Sequence, residues 1–395
     1  GSIVRIGVFS DSYKPYVSGV VNSIETFTQE LRSLGHEVYI FAPNYPNLQA
    51  RPVEEFGIFR FHSVPAPTNR DYSLAIPFSF KFGPALKALN LDLIHVHTPF
   101  ILGQVGAIQA RRLNLPLVFT YHTLYEQYVH YVPINQNFTR EVVVRYSRHF
   151  CNHCDLVITP TGKVKDLLVN YGVRKPIQVI PTGIDLNRFS QGDVQWLRRR
   201  FELDPLDKVL LFVGRLTKEK NVDFLIQAFA QIQKQYPRTV LVIVAGGPEE
   251  NNLKTLVQNL RLEKQVIFTG RLTGADLVNA YHGADIFVFP SVTETQGLVI
   301  LEAMAAGLPV AAVDANGVSD MISPGVDGIL TQYSIESFAN GVCQLLGDEK
   351  KLESMVTAAL NKAFDLSSAR MAVRLEEAYQ NVLQNRWGLD RRITS

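Results

Sequence analysis

The chain has 395 residues, of which 46% are hydrophobic and 19% are charged, and its formal net charge is +2. This composition excludes an intrinsically disordered protein, and a charge so near neutrality gives no sign of a nucleic-acid partner. The apolar runs, such as Val209–Val213, have the length of strands and fall far short of a membrane span. Three cysteines predict a reducing compartment without a disulfide framework, which favours a cytoplasmic protein, and the length allows two domains.

The charge is unevenly distributed along the chain. The first 190 residues carry 18 Lys and Arg against 13 Asp and Glu, and the remaining residues carry 21 against 24. Ordinary scatter explains such a difference. A first half that faces an anionic surface, such as a membrane, explains it as well.

The first half predicts strands that alternate with helices. One helix opens at Gly19 and runs to about Leu34, a second ends at Arg112, and a third covers Gly162–Tyr171. Such alternation predicts a parallel sheet covered on both faces. The predicted strands are Ile3–Phe9, Val38–Ala42, Leu93–Val96, Leu117–Thr120, Leu156–Thr159 and Ile177–Ile180.

Three residues stand directly after predicted strands of this half, or open the helix that follows. His97 and His122 come at strand ends, and Gly19 opens the first helix. Ligands of parallel sheets bind at the carboxyl ends of the strands, so these residues are predicted to line a cleft. The first strand is not followed by Gly-x-Gly-x-x-Gly, so a dinucleotide is not favoured.

The second half repeats the same rhythm after a linker. Residues 181–185 end the first predicted domain, and a polar stretch, Ser190–Asp207, precedes the new series of strands. An amphipathic last helix covers about Ser368–Arg386. The predicted domains are 1–185 and 186–367, with 368–395 as a terminal helix. The predicted strands are Val209–Val213, Val240–Ala245, Val266–Thr269, Asp285–Phe289, Val310–Val313 and Gly328–Leu330.

A strand, a turn and a helix near residue 300 bring two carboxylates to one helix start. The helix is predicted over Leu298–Ala306, with Glu294 in the preceding turn and Glu302 inside the helix. Backbone N–H groups at a helix start lack partners and can hold a phosphate. The arrangement therefore suits a sugar nucleotide. Thr295 is the predicted cap, Gln296, Gly297 and Leu298 are the predicted N–H donors, and Gly307 is predicted to close the helix.

Two motifs of the second half resemble the signature of retaining GT-B glycosyltransferases of family 4. They are Glu294-x7-Glu302 followed by A-M-A-A-G-L-P, and G-R-L-T-K-E-K-N over Gly214–Asn221. The resemblance implies an α/β fold of the GT-B type, with two Rossmann-like domains facing each other across a cleft. The C-terminal helix would cross back to the first domain. It also implies a hexosyltransferase with a nucleotide-sugar donor and with no metal or other cofactor.

The resemblance assigns roles to residues in both halves. Arg215 and Lys220 would stabilise the charge that builds on the leaving diphosphate, which fixed cations can do in place of a metal. Glu302 would hold the ribose, Glu294 would hold sugar hydroxyls, and His122 would orient the sugar. The predicted catalytic residues are thus His122, Arg215, Lys220 and Glu294. The predicted donor-binding residues are Gly19, Gly214, Gly246, Gly247, Arg271, Leu272, Thr295, Gln296, Gly297, Leu298 and Glu302.

The segment His149–Cys154 contains a Cys-x-x-Cys pair with interleaved histidines, which suggests a zinc site. It falls at the end of a predicted helix, and no second Cys or His pair has ligand spacing. We interpret it as structural, and no metal site is predicted.

Motifs of the first half look like those of bacterial diacylglycerol glucosyltransferases. They are D-S-Y-K-P from Asp11, H-T-P-F from His97 and T-Y-H-T-L-Y-E-Q-Y from Thr120, and they make Asp11, His97 and Tyr125 the predicted acceptor residues. The resemblance implies UDP-glucose as donor, diacylglycerol as acceptor, and a peripheral position on the inner face of the cell membrane. Gln296 stands where the wider family often has phenylalanine, so the sugar pocket departs from the common pattern.

A predicted helix, Phe138–Phe150, has an apolar face and a face with Arg140, Arg145 and Arg148. An ordinary helix packed on its own core explains this pattern, and a helix at an anionic membrane is the alternative. Other functions also stay open at this point. They are transfer to a soluble acceptor such as a sugar phosphate or small hydroxy acid, a GT-B nucleotide-sugar epimerase, and a binding module with an inactive site.

Overall fold

The structure, a computed structural model, describes residues 2–48, 55–67, 69–77, 82–122, 136–293, 296–315 and 317–393, with the backbone alone for 136–139 and 387–393. It divides into two compact units. Unit 1 comprises Gly1–Gly183 and Ser368–Ser395, and unit 2 comprises Ile184–Ser367. The chain therefore leaves unit 1, builds unit 2, and then returns.

Unit 1 is built on a parallel sheet. Its described strands are β1 (Arg5–Phe9), β2 (Glu37–Pro43), β3 (Ile58–Phe61), β4 (Ser63–Pro65), β5 (Ser73–Ala75), β6 (Leu93–Val96), β7 (Leu117–Thr120), β8 (Leu156–Thr159) and β9 (Ile177–Val179). Seven of these strands form the sheet in the order β3-β2-β1-β6-β7-β8-β9, and β4 pairs with β5 as a hairpin. Every residue of β6, β7 and β8 is buried, as expected for a sheet with helices on both faces.

Two of the described helices of unit 1 begin at a residue whose side chain caps them. The described helices before residue 183 are α1 (Gly19–Ser33), α2 (Phe82–Ala88), α3 (Ile101–Arg112), α4 (Gln136–Asn152) and α5 (Gly162–Tyr171). Ser18 accepts a hydrogen bond from the N–H of Val21 and so caps α1, and Thr161 caps α5 in the same way. Gly172 ends α5 with a positive φ of 95°, where a glycine costs least.

Unit 2 contains a second parallel sheet. Its described strands are β10 (Lys208–Val213), β11 (Thr239–Val244), β12 (Val266–Gly270), β13 (Ile286–Phe289), β14 (Val310–Val313) and β15 (Gly328–Thr331), in the order β12-β11-β10-β13-β14-β15. Its described helices are α6 (Leu186–Phe189), α7 (Trp196–Arg200), α8 (Val222–Gln235), α9 (Glu250–Asn259), α10 (Gly274–Gly283), α11 (Leu298–Ala305), α12 (Ile335–Leu346) and α13 (Glu349–Asp365). A 3-10 turn, Lys218–Lys220, precedes α8.

The last helix, α14 (Ser368–Ile393), belongs to unit 1 and packs against α1. Ser368 donates a hydrogen bond to Glu30 at 3.0 Å, and Arg374 donates one to the carbonyl of Val179 at 2.9 Å. Its inward face contributes Met371, Ala372, Leu375, Ala378 and Tyr379, which are at most 2% exposed. Burial on this scale contributes about 1.5–3 kcal/mol for each large side chain.

Three parts of the sequence prediction need correction. Ile58–Phe61 is a strand at the edge of the first sheet, next to the hairpin of β4 and β5, and none of these was predicted. The polar stretch Ser190–Asp207 contains α7, whose Leu197 is 0% exposed because it packs into the core of unit 2. The last helix extends to Ile393 and not to about Arg386. Most other predicted strands and helices differ from the observed ones by one or two residues at their ends.

Candidate active site

The strand order of unit 2 reverses between β10 and β13, which are parallel neighbours. Ligands of open α/β sheets bind outside the carboxyl ends of the strands at such a point. Two of the predicted motifs follow these two strands directly. The loop Gly214–Asn221 follows β10, and the turn that leads to α11 follows β13.

The loop after β10 is anchored on both sides. The N–H of Leu216 donates to Gly246 at 3.2 Å, and the N–H of Glu249 donates to Leu216 at 3.0 Å. The side chain of Asn221, a left-handed residue with φ of 57°, donates to the carbonyl of Pro290 at 3.3 Å. These contacts tie the loop to the turns after β11 and β13. Within it, Arg215 is exposed and Lys220 is half-buried.

Four glycines predicted to bind the donor, three in unit 2 and one in unit 1, are glycine for different physical reasons. A Cβ at Gly247 would lie 2.5 Å from the carbonyl oxygen of Leu216, and one at Gly214 would lie 2.9 Å from the ring of Phe212. Packing of the chain therefore accounts for these two. A Cβ at Gly246 would meet Glu250 at 3.8 Å and nothing nearer, and one at Gly19 would meet nothing within 4 Å. Crowding by the protein therefore does not explain the glycines at positions 19 and 246. Open space at these two positions is consistent with a ligand that approaches the backbone closely.

The start of α11 lies after the turn at Gly297, which has a left-handed backbone with φ of 67°. Leu298 begins the helix, and Gln296 is 8% exposed. The predicted closure at Gly307 is confirmed, because Gly307 has φ of 82° and its N–H donates to Met304. Glu294 and the predicted cap Thr295 lie outside the described residues.

Glu302 lies on α11 and is largely buried. The hydroxyl of Tyr281 on α10 donates to its Oε2 at 2.7 Å. Burial raises the pKa of Glu302, and the Tyr281 hydrogen bond and the charge of Arg188 oppose this rise. Arg188 in α6 also stacks its guanidinium 4.8 Å from the ring centre of Phe189.

Arg271 and Leu272 follow β12, which is separated from β10 by β11. Arg271 is exposed and Leu272 is half-buried. The structure therefore places them two strands away from the reversal point, at the edge of the sheet. Their predicted contact with the base of the donor stays a prediction.

Unit 1 has its own reversal point, between β1 and β6. Asp11 lies there with 1% exposure, and its carboxylate accepts hydrogen bonds from the Thr98 hydroxyl at 2.6 Å and the Leu102 N–H at 2.7 Å. Burial raises the pKa of Asp11 to about 6, and these hydrogen bonds oppose the rise. Asp11 thus fixes the start of α3, a geometry that disfavours the predicted contact of its carboxylate with an acceptor.

Three histidines form a row at the carboxyl ends of β6 and β7. The His95 and His97 rings stack with their centres 4.3 Å apart, and His97 Nδ1 lies 3.3 Å from His122 Nε2. Both ring nitrogens of His95 are satisfied, Nδ1 by Tyr379 at 2.5 Å and Nε2 by Thr120 at 2.6 Å. His95 is therefore a core residue whose hydrogen-bonding groups are satisfied.

Burial keeps this row of histidines neutral. It lowers the pKa of His95 to about 3 and that of His122 to about 4, and it lowers the pKa of His97 well below its usual value. A neutral His122 can hydrogen-bond a sugar hydroxyl but brings no positive charge at neutral pH. Tyr125, the third predicted acceptor residue, lies outside the described residues.

The Cys-x-x-Cys segment is structural, as interpreted from the sequence. Cys151 and Cys154 are both 0% exposed, and burial raises the pKa of Cys151 to about 12, so it stays a thiol. Within the described ranges, no group of three or more His, Cys, Asp or Glu side chains has a geometry that could hold a metal ion.

Sequence reasoning missed three residues that organise the site of unit 2, namely Tyr281, Arg188 and Asn221. Asn221 closes the G-R-L-T-K-E-K-N motif and was quoted with it, but its contact with Pro290 depends on the pairing of two distant strands. Tyr281 and Arg188 lie outside every motif. The hydrogen bond from Tyr281 and the electrostatic effect of Arg188 on Glu302 depend on how α6, α10 and α11 pack.

Comparisons with known proteins agree with this geometry. Residues 194–362 match the family model of glycosyl transferases group 1, and residues 17–188 match that of Glycosyltransferase Family 4. The alpha-monoglucosyldiacylglycerol synthase of Streptococcus pneumoniae is 34% identical over 96% of this chain and 86% of its own length. The chain belongs to this family of glycosyltransferases. The predicted class, a hexosyltransferase with a nucleotide-sugar donor, is thereby confirmed.

Another relative is named for its donor. A GDP-mannose-dependent alpha-mannosyltransferase of Mycobacterium tuberculosis is 32% identical over 83% of this chain and 83% of its own length. Among solved structures, Alr3699/HepE of Anabaena in complex with UDP superposes with a TM-score of 0.75 at 21% identity, covering 96% of this chain and 100% of that one. The likeness confirms the predicted GT-B fold of two Rossmann-like domains.

Proposed function

We propose that this glycosyltransferase is a retaining enzyme that moves an α-linked glucose from UDP-glucose to the free hydroxyl of diacylglycerol. One observation carries the donor side of the proposal. A cationic loop, a helix start and a buried carboxylate follow or flank β10 and β13, where the strand order of unit 2 reverses. The acceptor is supported by the likeness to the Streptococcus pneumoniae synthase.

The residues of unit 2 suit a nucleoside diphosphate as the leaving group. Arg215 offers a planar fork and Lys220 a point charge, and both act where negative charge grows on the diphosphate. Glu302 accepts hydrogen bonds from the ribose hydroxyls. Because fixed cations meet the charge, we propose that the reaction needs no metal.

Chemically, the bond between the anomeric carbon and the phosphate oxygen breaks, and the acceptor oxygen bonds to the same face of that carbon. The acceptor proton passes to the leaving phosphate oxygen, so that atoms and charges balance. Glu294 would hold sugar hydroxyls. His122 would orient the sugar through hydrogen bonds of its neutral imidazole.

The acceptor side is also supported by the outer face of α4 in unit 1. Arg140, Arg145 and Arg148 are exposed, whereas Val143 and Phe150 are buried in the core of the unit. The apolar arc of this helix thus packs inward, and the arginines offer charge to an anionic membrane surface, where the enzyme would act as a peripheral protein on the cytoplasmic side. Among the described residues, no helix combines the length and the apolar character needed to cross a bilayer.

A donor and acceptor screen tests the proposal. We expect the purified enzyme to transfer hexose from UDP-glucose to diacylglycerol in mixed micelles, with product mass as the readout, and to retain this activity in EDTA. GDP-mannose is the control donor, and a sugar phosphate is the control acceptor. Transfer to the soluble acceptor alone would overturn the lipid assignment, and loss of activity in chelator would overturn the metal-free clamp.

A further inference from the structure

Glu302 is held from behind by a residue of another helix. Tyr281 is 0% exposed, and its ring packs against those of Phe189 and Phe287, whose centres are 6.1 Å and 5.9 Å away. This packing leaves the Tyr281 hydroxyl a fixed direction, toward Glu302 Oε2 at 2.7 Å. The hydroxyl stays protonated and can donate, because burial raises the pKa of Tyr281 well above its usual value.

We infer that Tyr281 is a positioning residue that orients the Glu302 carboxylate, so that Oε1 faces a ligand diol. The inference deepens the proposed function, since it rests on Glu302 as the acceptor for the ribose hydroxyls. A carboxylate offers about four lone-pair directions, and Tyr281 occupies one of them on Oε2. In the part of the chain that the structure describes, no residue donates a hydrogen bond to Oε1, whose two lone pairs suit two neighbouring hydroxyls on a five-membered ring.

The same contact bears on the charge of Glu302. Burial opposes ionisation of this side chain, and Tyr281 from α10 and Arg188 from α6 favour it. A protonated carboxyl accepts fewer hydrogen bonds and becomes a donor itself, so it suits two donating hydroxyls less well. Loss of the Tyr281 hydroxyl would therefore let Glu302 take up a proton at a higher pH. Nucleotide affinity would then begin to fall at a higher pH as the solution is acidified.

The test measures the Kd of UDP and of 2′-deoxy-UDP by titration calorimetry with the full chain. Tyr281→Phe keeps the ring and removes the hydroxyl. Tyr236→Phe is the matched control, since Tyr236 is a half-buried tyrosine of unit 2 that packs against the same core at the end of α8. Ratios of variant to wild type at each pH remove the titration of the nucleotide itself.

We expect Tyr281→Phe to weaken UDP by roughly 3- to 10-fold near pH 7.5 and by more near pH 6, as for one lost hydrogen bond to a charged partner. The loss should be smaller for 2′-deoxy-UDP, which lacks one of the two hydroxyls. Tyr236→Phe should match wild type with both nucleotides. Arg188→Gln, at an exposed position, should shift the pH dependence in the same direction and keeps the test open if Tyr281→Phe folds poorly.

Two outcomes would overturn the inference in distinguishable ways. Equal weakening of both nucleotides by Tyr281→Phe, or none beyond that of Tyr236→Phe, would leave Tyr281 a packing residue while the ribose contact stands. The second outcome concerns the proposed ribose contact itself and is tested with Glu302→Gln. If that variant binds UDP as wild type does, then the ribose contact of the proposed function fails and the positioning role falls with it.

Discussion

Arg215 and Lys220 share one short loop but differ in exposure, Arg215 being open to solvent and Lys220 half-buried beside the start of α8. In the proposed mechanism both side chains stabilise negative charge that is greatest in the transition state, as the diphosphate leaves. Their loss therefore lowers kcat more than it raises the donor KM. We expect Arg215→Ala and Lys220→Ala each to lower kcat by roughly 10²-fold or more.

Lys218 supplies the matched control for this prediction. It lies in the same 3-10 turn and is exposed, so Lys218→Ala removes an equal charge from the same loop. We expect this variant to keep a kcat and a donor KM near those of the wild type in steady-state kinetics with UDP-glucose. Near wild-type turnover in Arg215→Ala or Lys220→Ala would remove that residue from the mechanism.

The site residues that belong to a sequence motif could be predicted. Those that reach the site through the packing of distant helices could not. The loop and helix-start residues lie on one contiguous stretch each, so strand and helix patterns already placed them at carboxyl ends. Tyr281 and Glu302 are 21 positions apart on different helices, and no local pattern brings them together. Asp11 was predicted as an acceptor residue from the D-S-Y-K-P motif. Its hydrogen bonds with Thr98 and Leu102, about ninety positions away, could not be predicted from that motif.

Among elements, α4 has an inward apolar face, which includes Val143 and Phe150, and an outward face that carries three arginines. Each cation near an anionic bilayer contributes about 1 kcal/mol, so three of them bear strongly on adsorption. We expect a triple change of Arg140, Arg145 and Arg148 to Ser to release the enzyme from phosphatidylglycerol vesicles in co-sedimentation at low salt. The affinity for UDP should not change, because none of the three arginines is a predicted donor-binding residue.

The control for this prediction removes the same charge from unit 2. Arg261, Lys264 and Lys350 are exposed there, and their triple change to Ser should leave vesicle binding unaltered. Neutral vesicles should bind neither protein. If the wild-type enzyme ignores anionic vesicles at low salt, the membrane part of the proposal fails and a soluble acceptor becomes the better assignment.

Most central strands could be predicted because both faces of a parallel sheet are buried, which makes each strand a continuous apolar run. Elements at the edge of the sheet are less completely buried, so their sequence pattern is less distinct. Ile58–Phe61 contains an arginine, and only its last residue is fully buried, so its pattern does not stand out from a loop. The helix α7 carries three arginines in succession and is fixed by one buried leucine, Leu197, which sequence patterning cannot weigh against its neighbours.

For the whole molecule, unit 2 is an insertion whose two ends meet. The N–H of Ile184 donates to the carbonyl of Leu366 at 3.0 Å, and Ile184 bridges Ser367. All of the core of unit 2 comes from residues between these ends. Adjacent ends and a self-contained core are the properties of a domain that folds alone.

We therefore expect residues 184–367 to unfold cooperatively as an isolated fragment and to bind UDP in calorimetry. Residues 1–183 alone should fail to fold, because they lack α14 and its buried face. A chain that joins Gly183 to Ser368 through a short flexible linker should restore a cooperative thermal transition. A folded 1–183 fragment, or an unfolded joined chain, would contradict this description.

The return of α14 also fixes an order of events on the ribosome. The first strands of unit 1 emerge early, yet their covering helix is the last described element of the chain to be made. At ordinary translation speeds, the synthesis of unit 2 occupies on the order of 10–40 s, during which the nascent unit 1 exposes the apolar surface meant for α14. Unit 2 can be complete in that interval, whereas unit 1 waits for α14. Chaperones that shield apolar surface would then matter most for the part of the protein that is translated first.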